Sequence, residues 1–163
     1  MPKGSSKGRP FAKPKDDALN PRYGTPPEPG RRYRRRPGVY AALILRDRVL
    51  LTHQSRPQPE YQLPGGGVDP GESPLRALHR EVLEETGWCI AAPLRIGTYR
   101  RFTYMPEYDL WAEKICTLYV ARPLLARSAP QEAGHRAEWV PLRHAAAMVA
   151  SPGDAEYLRR LAV

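Results

Sequence analysis

The sequence predicts an α+β domain built on a mixed β-sheet, and three observations carry that prediction. The chain has 163 residues, a length that suits one domain with a core of its own. Composition changes abruptly at Pro37-Gly38, where a basic, proline-rich stretch gives way to apolar runs of strand length. Helical and strand patterns then follow in an order that is mixed rather than regularly alternating βαβ, which points away from a purely parallel sheet.

The N-terminal stretch comes first. Residues 1–38 hold eleven Lys or Arg against three acids, and the remainder fifteen against fourteen, so the formal charge of +9 belongs almost wholly to the arm. With eight of the nineteen prolines and few large aliphatics, it cannot bury enough surface to offset its ordering entropy. Residues 1–36 are expected to be a disordered basic arm, and residues 37–163 the folded domain. The arm lacks the apolar stretch of a secretory signal and, being broken by proline, is not an amphipathic transit peptide. No run approaches the roughly 18 apolar residues of a membrane helix, so the expected location is the cytoplasm, with no membrane partner. Cys89 and Cys116 fit no CxxC pattern and are expected to be free, half-buried thiols.

Val39 to Leu45 and Arg48 to Gln54 read as a β-hairpin turning at Arg46-Asp47, its first strand buried. Ser55 to Glu60 is a loop, and Tyr61-Gln62-Leu63 a short strand stopped by Pro64 and three glycines. Those glycines allow close approach of the backbone to a ligand, or positive φ. Ser73 caps the next helix with Pro74 at its first position, Leu75, Leu78 and Val82 form its buried stripe, and Gly87 ends it. Leu94 to Tyr104 and Leu110 to Ala121 are long strands, and Ala137 to Val140 is the last. Two helices close the chain, Pro141 to Ala150 and Ser151 to Leu161, the second capped by Ser151.

Chemistry concentrates in the segment from the glycines to the helix end. Glu81, Glu84 and Glu85 stand at i, i+3 and i+4, on one side of the helix. Like charges so spaced repel. A divalent cation removes that penalty, and a hard ion such as Mg²⁺ takes carboxylate oxygens while keeping waters and substrate phosphates as further ligands. The segment therefore reads as a metal-phosphate site. No Lys-Ser or Lys-Thr follows the glycines, which excludes a P-loop.

Gly66, five residues, Glu72, seven residues, then Arg80-Glu81-Val82-Leu83-Glu84-Glu85-Thr86-Gly87-Trp88 resembles the Nudix box, G-x5-E-x7-R-E-U-x-E-E-x-G-U with U a bulky aliphatic. All seven fixed residue types match over 23 positions; Trp88 departs by being aromatic at the last. The resemblance implies an α/β/α sandwich around the mixed sheet and Mg²⁺-dependent hydrolysis of a pyrophosphate bond, with Mn²⁺ an alternative metal. It also implies that the Gly66 carbonyl joins Glu81, Glu84 and Glu85 as a metal ligand, and that Glu72 and Arg80 form a salt bridge tying loop to helix. By the same resemblance, the general base is expected to be one of these glutamates or a carboxylate from a later loop. Glu132 is preferred there to Glu138, which directly precedes the strand residue Trp139.

The substrate is less legible. Tyr99, Phe102, Tyr104, Tyr108 and Trp111 could stack on a base but suit core and cross-strand pairs better. Arg56, Arg100, Arg101 and Lys114 could meet phosphates or only the solvent. The four histidines are scattered, with no Ser-His-Asp or Cys-His arrangement. The expected function is cleavage of a nucleoside diphosphate linked to another moiety. Two rival readings stay open: removal of pyrophosphate from an RNA 5′ end, with the basic arm supplying backbone affinity, and a non-catalytic module binding nucleotide or RNA. The intact carboxylate set argues against the last.

Overall fold

A computed structural model of the chain describes residues 20–163. Its elements run β1 (Arg34–Leu45), β2 (Arg48–Gln54), β3 (Glu60–Gln62), β4 (Gly65–Gly67), α1 (Pro74–Thr86), β5 (Trp88–Met105), β6 (Leu110–Ala126), β7 (His135–Pro141), α2 (Leu142–Met148) and α3 (Pro152–Leu161). The sheet is mixed: β1 pairs in parallel with β6, while its pairings with β2 and β4, and those of β5 with β6, are antiparallel. On the other side β2 pairs antiparallel with β3 and β7.

The period-2 alternation of β1 assigns its two faces. Val39, Ala41 and Leu43 point with Leu50 toward Ala77, Leu78 and Val82 of α1. Tyr40 and Ala42 point the other way, into a core with Leu118, Val140, Ala145 of α2 and Tyr157 and Leu158 of α3. A helix on one face and two on the other give the α/β/α sandwich.

Helix ends follow local chemistry. Ser73 Oγ accepts from the Arg76 N–H, Pro74 opens α1, and Gly87 closes it at φ 77°. Ser151 Oγ likewise accepts from the Asp154 N–H at the start of α3. One stripe residue differs from expectation: Leu75 is 47% exposed, and Ala77 is buried instead. Leu75 lies in the first turn, ahead of the residues that meet β1. Cys89 and Cys116 are both free, the second fully buried.

The start of the domain also needs correction. The boundary expected after residue 36 falls inside β1, where Arg34 to Arg36 pair with Ala112 to Lys114 of β6. Residues just upstream dock as well. Tyr23 N–H donates to the Arg100 carbonyl at 3.0 Å, and Arg100 N–H to that of Pro21 at 2.9 Å. Tyr33 packs edge-on against Phe102 and Trp111, and the Arg31 guanidinium lies 3.8 Å from the Trp111 ring centre. A basic, proline-rich segment holds a fixed path here because a strand edge and exposed aromatics offer it partners. The part of the expected arm from residue 1 to 19 lies outside the described residues. No helix among the described residues is long and apolar enough to cross a membrane.

Candidate active site

The glycine loop and α1 meet at close range. At about 100° per residue, Glu85 projects within about 20° of Leu78 and so toward the core, Glu81 flanks that direction, and Glu84 points away. Burial follows: Glu85 is 5% exposed, and the side chains of Glu81 and Glu84 are 12% and 37% exposed. Glu85 Oε2 accepts from the Gly65 N–H at 2.9 Å. A Cβ on Gly66 would sit 2.5 Å from the Glu81 carboxylate, and one on Gly65 would sit 2.1 Å from the Val39 carbonyl oxygen. Gly66 thus lets the Glu81 carboxylate lie against the loop, and Gly65 lets the loop lie against β1.

Arg80 ties this together. Its Nε and Nη2 donate to the two oxygens of Glu72, both at 2.9 Å, and Nη2 also donates to the Gly67 carbonyl at 3.1 Å. Nη1 donates to Glu81 Oε1 at 2.8 Å and lies 3.5 Å from Glu84 Oε2. Glu72 accepts as well from the Asp69 N–H. Hydrogen bonds from Arg80 hold the Glu72 carboxyl down at about 2. The expected salt bridge between Glu72 and Arg80 is therefore present, and one guanidinium serves the loop and two of the candidate ligands.

A fourth carboxylate arrives from the segment between β6 and β7. Arg127 and Ser128 N–H groups donate to the Gly87 carbonyl and the Gln131 N–H donates to that of Glu84, so the exposed acceptors at the end of α1 dock this loop. Glu132 then offers an oxygen within 4.8 Å of those of Glu81 and Glu84, and also belongs to a second set with Glu85 and His135. His135 Nδ1 lies 3.3 Å from Glu132 Oε2, buried and out of line for a hydrogen bond. Glu138 stands apart, accepting from the Tyr61 hydroxyl at 2.7 Å.

Crowded carboxylates raise one another's pKa. Burial, with Glu132 and Glu81 nearby, pushes Glu85 up to about 8 despite the bond from Gly65. Burial also raises Glu81, against the pull of Arg80. Hard oxygen donors in excess of the positive charge beside them, with an imidazole nitrogen lacking a partner, fit a divalent cation. Gly66 lines the same cleft as Glu81 and Glu85.

Gly65 to Gly67, Glu81, Glu85, Glu132 and His135 line a cleft of about 810 Å³ together with Arg35, Arg36, Tyr40, Tyr108 and Lys114. Of the basic residues considered from the sequence, Lys114 is here, whereas Arg56 borders a neighbouring cavity. Most of the aromatics do serve packing: Tyr99 is buried, and Tyr104 faces Trp111 across the β5–β6 pair. Trp88 meets Trp139 edge-on under α1. His53 packs on Tyr61, and His79 and His144 are exposed. Sequence reasoning missed His135, whose one signal was its place three residues after Glu132. It also missed Arg35, Arg36 and Tyr40, which the parallel pairing of β1 with β6 brings to the cleft.

Comparison with known proteins agrees with this geometry. The NUDIX domain model matches residues 34–161. A Bacillus subtilis protein provisionally named 8-oxo-dGTP diphosphatase is 38% identical over 74 residues, 45% of this chain and 50% of that protein. An RNA pyrophosphohydrolase from Helicobacter pylori is 42% identical over 57 residues, 32% of this chain and 37% of that one. The match thus spans half or less of either relative. Among solved structures, the NUDIX hydrolase from Nitrosomonas europaea shares the fold at TM-score 0.63 and 23% identity, over 78% of this chain and 90% of that chain. A MutT protein from Bacillus halodurans does so at 0.65 and 21%, over 78% and 82%. With the box, the sandwich and a family match over most of its length, the chain belongs to the Nudix hydrolase family.

Proposed function

We propose that this protein is a Mg²⁺-dependent pyrophosphohydrolase that cleaves the anhydride of a nucleoside diphosphate linked to another moiety. The observation that carries the reading is that Glu132 offers an oxygen within 4.8 Å of those of Glu81 and Glu84 in one set and of that of Glu85 in another, with Glu81, Glu85 and Glu132 lining a cleft that also holds cationic side chains. Glu81, Glu84 and Glu85, with the Gly66 carbonyl, are the residues to hold Mg²⁺, or Mn²⁺ in its place. A cation bound there neutralises phosphoryl oxygens and stabilises the charge that develops on the leaving phosphate.

Glu132 is the residue we assign to the proton. It is exposed to water and comes from a separate loop, with the His135 ring behind it. A Glu132 carboxylate oxygen takes the proton of a water whose oxygen attacks one phosphorus. The P–O anhydride bond breaks, and the displaced phosphate leaves with the bonding pair. Arg80 does not touch the reacting atoms; it positions Glu81 and the loop. This division of labour is supported by the Glu72 pair, which keeps the guanidinium in place.

A second reading, removal of pyrophosphate from an RNA 5′ end, is favoured by the name of the Helicobacter relative and by the arginines of β1 in the cleft. Turnover of a panel of nucleoside diphosphate derivatives, nucleoside triphosphates and 5′-triphosphate RNA, with Mg²⁺ and with EDTA, tests both. Mg²⁺-dependent release of phosphate or a nucleoside monophosphate supports the enzyme. Tight nucleotide binding with no turnover of any substrate would make it a binding module.

A further inference from the structure

We propose that Glu60 fixes the direction of a chain of side-chain hydrogen bonds, from Gln62 to Gln54 to Glu60, and so makes the cleft prefer a base that carries an amino group. Gln62 is the residue that meets the base and sets specificity; Glu60 is a positioning residue that acts through Gln54. The inference rests on the pyrophosphohydrolase reading above and names what the substrate must offer away from the anhydride.

Strand pairing brings these side chains together. β1 meets β2 at Ile44–Val49 and Leu45–Arg48, and beyond that point the sheet divides. β1 runs on with β4 and β6, and β2 with β3 and β7. Gln54 stands opposite Glu60, and Thr52 opposite Gln62. Alternate residues of a strand share a face, so both glutamines and Glu60 lie side by side. His135 of β7 joins them, opposite Gln54. Gln54, Gln62 and His135 line the cleft with Glu85 and Glu132.

Chemistry settles the direction of the chain. A carboxylate accepts and does not donate. Gln54 Nε2 therefore donates to Glu60 Oε1, at 2.7 Å. That turns Gln54 Oε1 the other way, where it accepts from Gln62 Nε2 at 3.2 Å. Gln62 Oε1 is left over, and among the described residues nothing donates to it. Among those residues the one fully buried side-chain polar atom without a partner is His135 Nδ1, so Gln62 Oε1 is reached from open space. Two spaces border Gln62. One is a cavity of about 10 Å³, with room for no more than a water; the other is the cleft. Lys114 borders both and gives a hydrogen bond to Tyr40.

The cleft is thus offered an acceptor that cannot turn into a donor. Turning Gln62 over would set its oxygen against that of Gln54, and turning Gln54 over would set its oxygen against the Glu60 carboxylate. A sugar hydroxyl rotates to suit either direction, so a fixed direction discriminates only against a rigid base edge. An amino group there donates to Gln62 Oε1. A keto oxygen in its place would face a second acceptor and leave both unpaired, which a site of this kind disfavours.

The test pairs substrates that differ by one amino group: adenine or guanine with hypoxanthine, and cytosine with uracil, each on the same phosphate chain. With Mg²⁺, KM and kcat are measured for the wild type, Gln62→Leu and Glu60→Gln, after each is checked for cooperative melting. In the wild type, the amino-bearing partner of at least one pair should be favoured about tenfold through KM, the scale of one hydrogen bond. Gln62→Leu should bring that ratio close to one. Glu60→Gln keeps the shape but lets the chain run either way, so the ratio should fall. Where the pair swaps amino for keto, the keto partner should bind better than it does to the wild type. A merely structural lesion would weaken both partners alike. Binding of the matching nucleoside monophosphates in EDTA, by calorimetry, gives the same ratio without turnover and keeps the test decisive should Gln62→Leu fail to fold. A wild type blind to every pair, or a ratio that Glu60→Gln leaves intact, would overturn the inference. Should the wild type bind with the expected ratio yet hydrolyse nothing, the catalytic reading fails and the role of Glu60 and Gln62 stands.

Discussion

Glu85 shows how a single residue can set function against stability. Its position on α1 aims the carboxylate inward, and its pKa of about 8 lies well above the ordinary value of 4.5. A carboxyl with a raised folded-state value favours the folded state below 4.5 and loses that contribution as pH rises through about 8. Metal-free protein should therefore lose stability across that window. Glu85→Gln, which keeps an acceptor for the Gly65 N–H without the charge, should raise the metal-free Tm near pH 8 and flatten its pH dependence. It should also lower turnover by orders of magnitude, because the proposed metal site would lose one of its ligands. Thermal melts with and without Mg²⁺, beside rate measurements, check both halves; wild-type turnover with saturating substrate would refute the assignment. Gly66→Ala should act on one neighbour. Its Cβ would stand 2.5 Å from the end of the Glu81 side chain, which can swing away, so the fold should survive. Activity should fall about 10–100-fold, the scale of misplaced ligand support.

At the scale of elements, the site depends on two connections to α1. Arg80 joins the glycine loop to the helix through Glu72, Gly67 and Asp69. Arg80→Ala or Glu72→Ala should weaken metal affinity by about 10–100-fold. Arg80→Lys should recover little, since one ammonium cannot replace a planar fork that serves the loop, Glu81 and Glu84 together. Metal titration by calorimetry decides; unchanged affinity in all three variants would reject the supporting role. The other connection is the loop of Glu132, docked on the helix end where a Cβ on Gly87 would meet the Ser128 carbonyl oxygen at 1.8 Å. Much of this end was legible in the sequence because it is local: the Ser73 cap, Pro74, the carboxylate spacing and Gly87 all act within a turn or two. What was not legible is non-local. The strand expected to begin at Leu94 begins at Trp88, where Trp88 to Ala91 pair with β6. Arg36, Tyr40 and Lys114 share the cleft because strands from opposite ends of the sequence lie in register. No periodicity within one segment reports such a pairing.

For the molecule as a whole, charge and fold do not divide where composition suggests. Arg34 to Arg36 are charged enough to resemble a solvated tail, yet they open the central strand and bring two arginines to the cleft. The segment before them is tied along β5, β6 and α3, with Tyr23 packed edge-on against Tyr99 and within hydrogen-bond reach of Arg160. Two truncations should therefore differ sharply. Removing residues 1–19 leaves every described strand and helix and all the residues lining the cleft in the chain, so hydrolysis of small nucleotides should persist within a few-fold and melting should stay cooperative. Removing residues 1–36 strips the first three pairs from the β1–β6 ladder, uncovers Phe102 and Trp111, and deletes Arg35 and Arg36. That chain should melt at lower temperature, and any turnover left should need far more substrate. Melting curves and KM for a nucleoside triphosphate separate the cases. Equal behaviour of the two truncations would show that the strand start contributes nothing to the fold or to the cleft. RNA adds one more reading of the same pair. If the shorter truncation alone removes a salt-sensitive part of RNA turnover, the affinity resides in residues 1–19, because phosphate contacts weaken steeply with salt. If the loss comes with the longer truncation, the arginines of the cleft itself are what hold the RNA end.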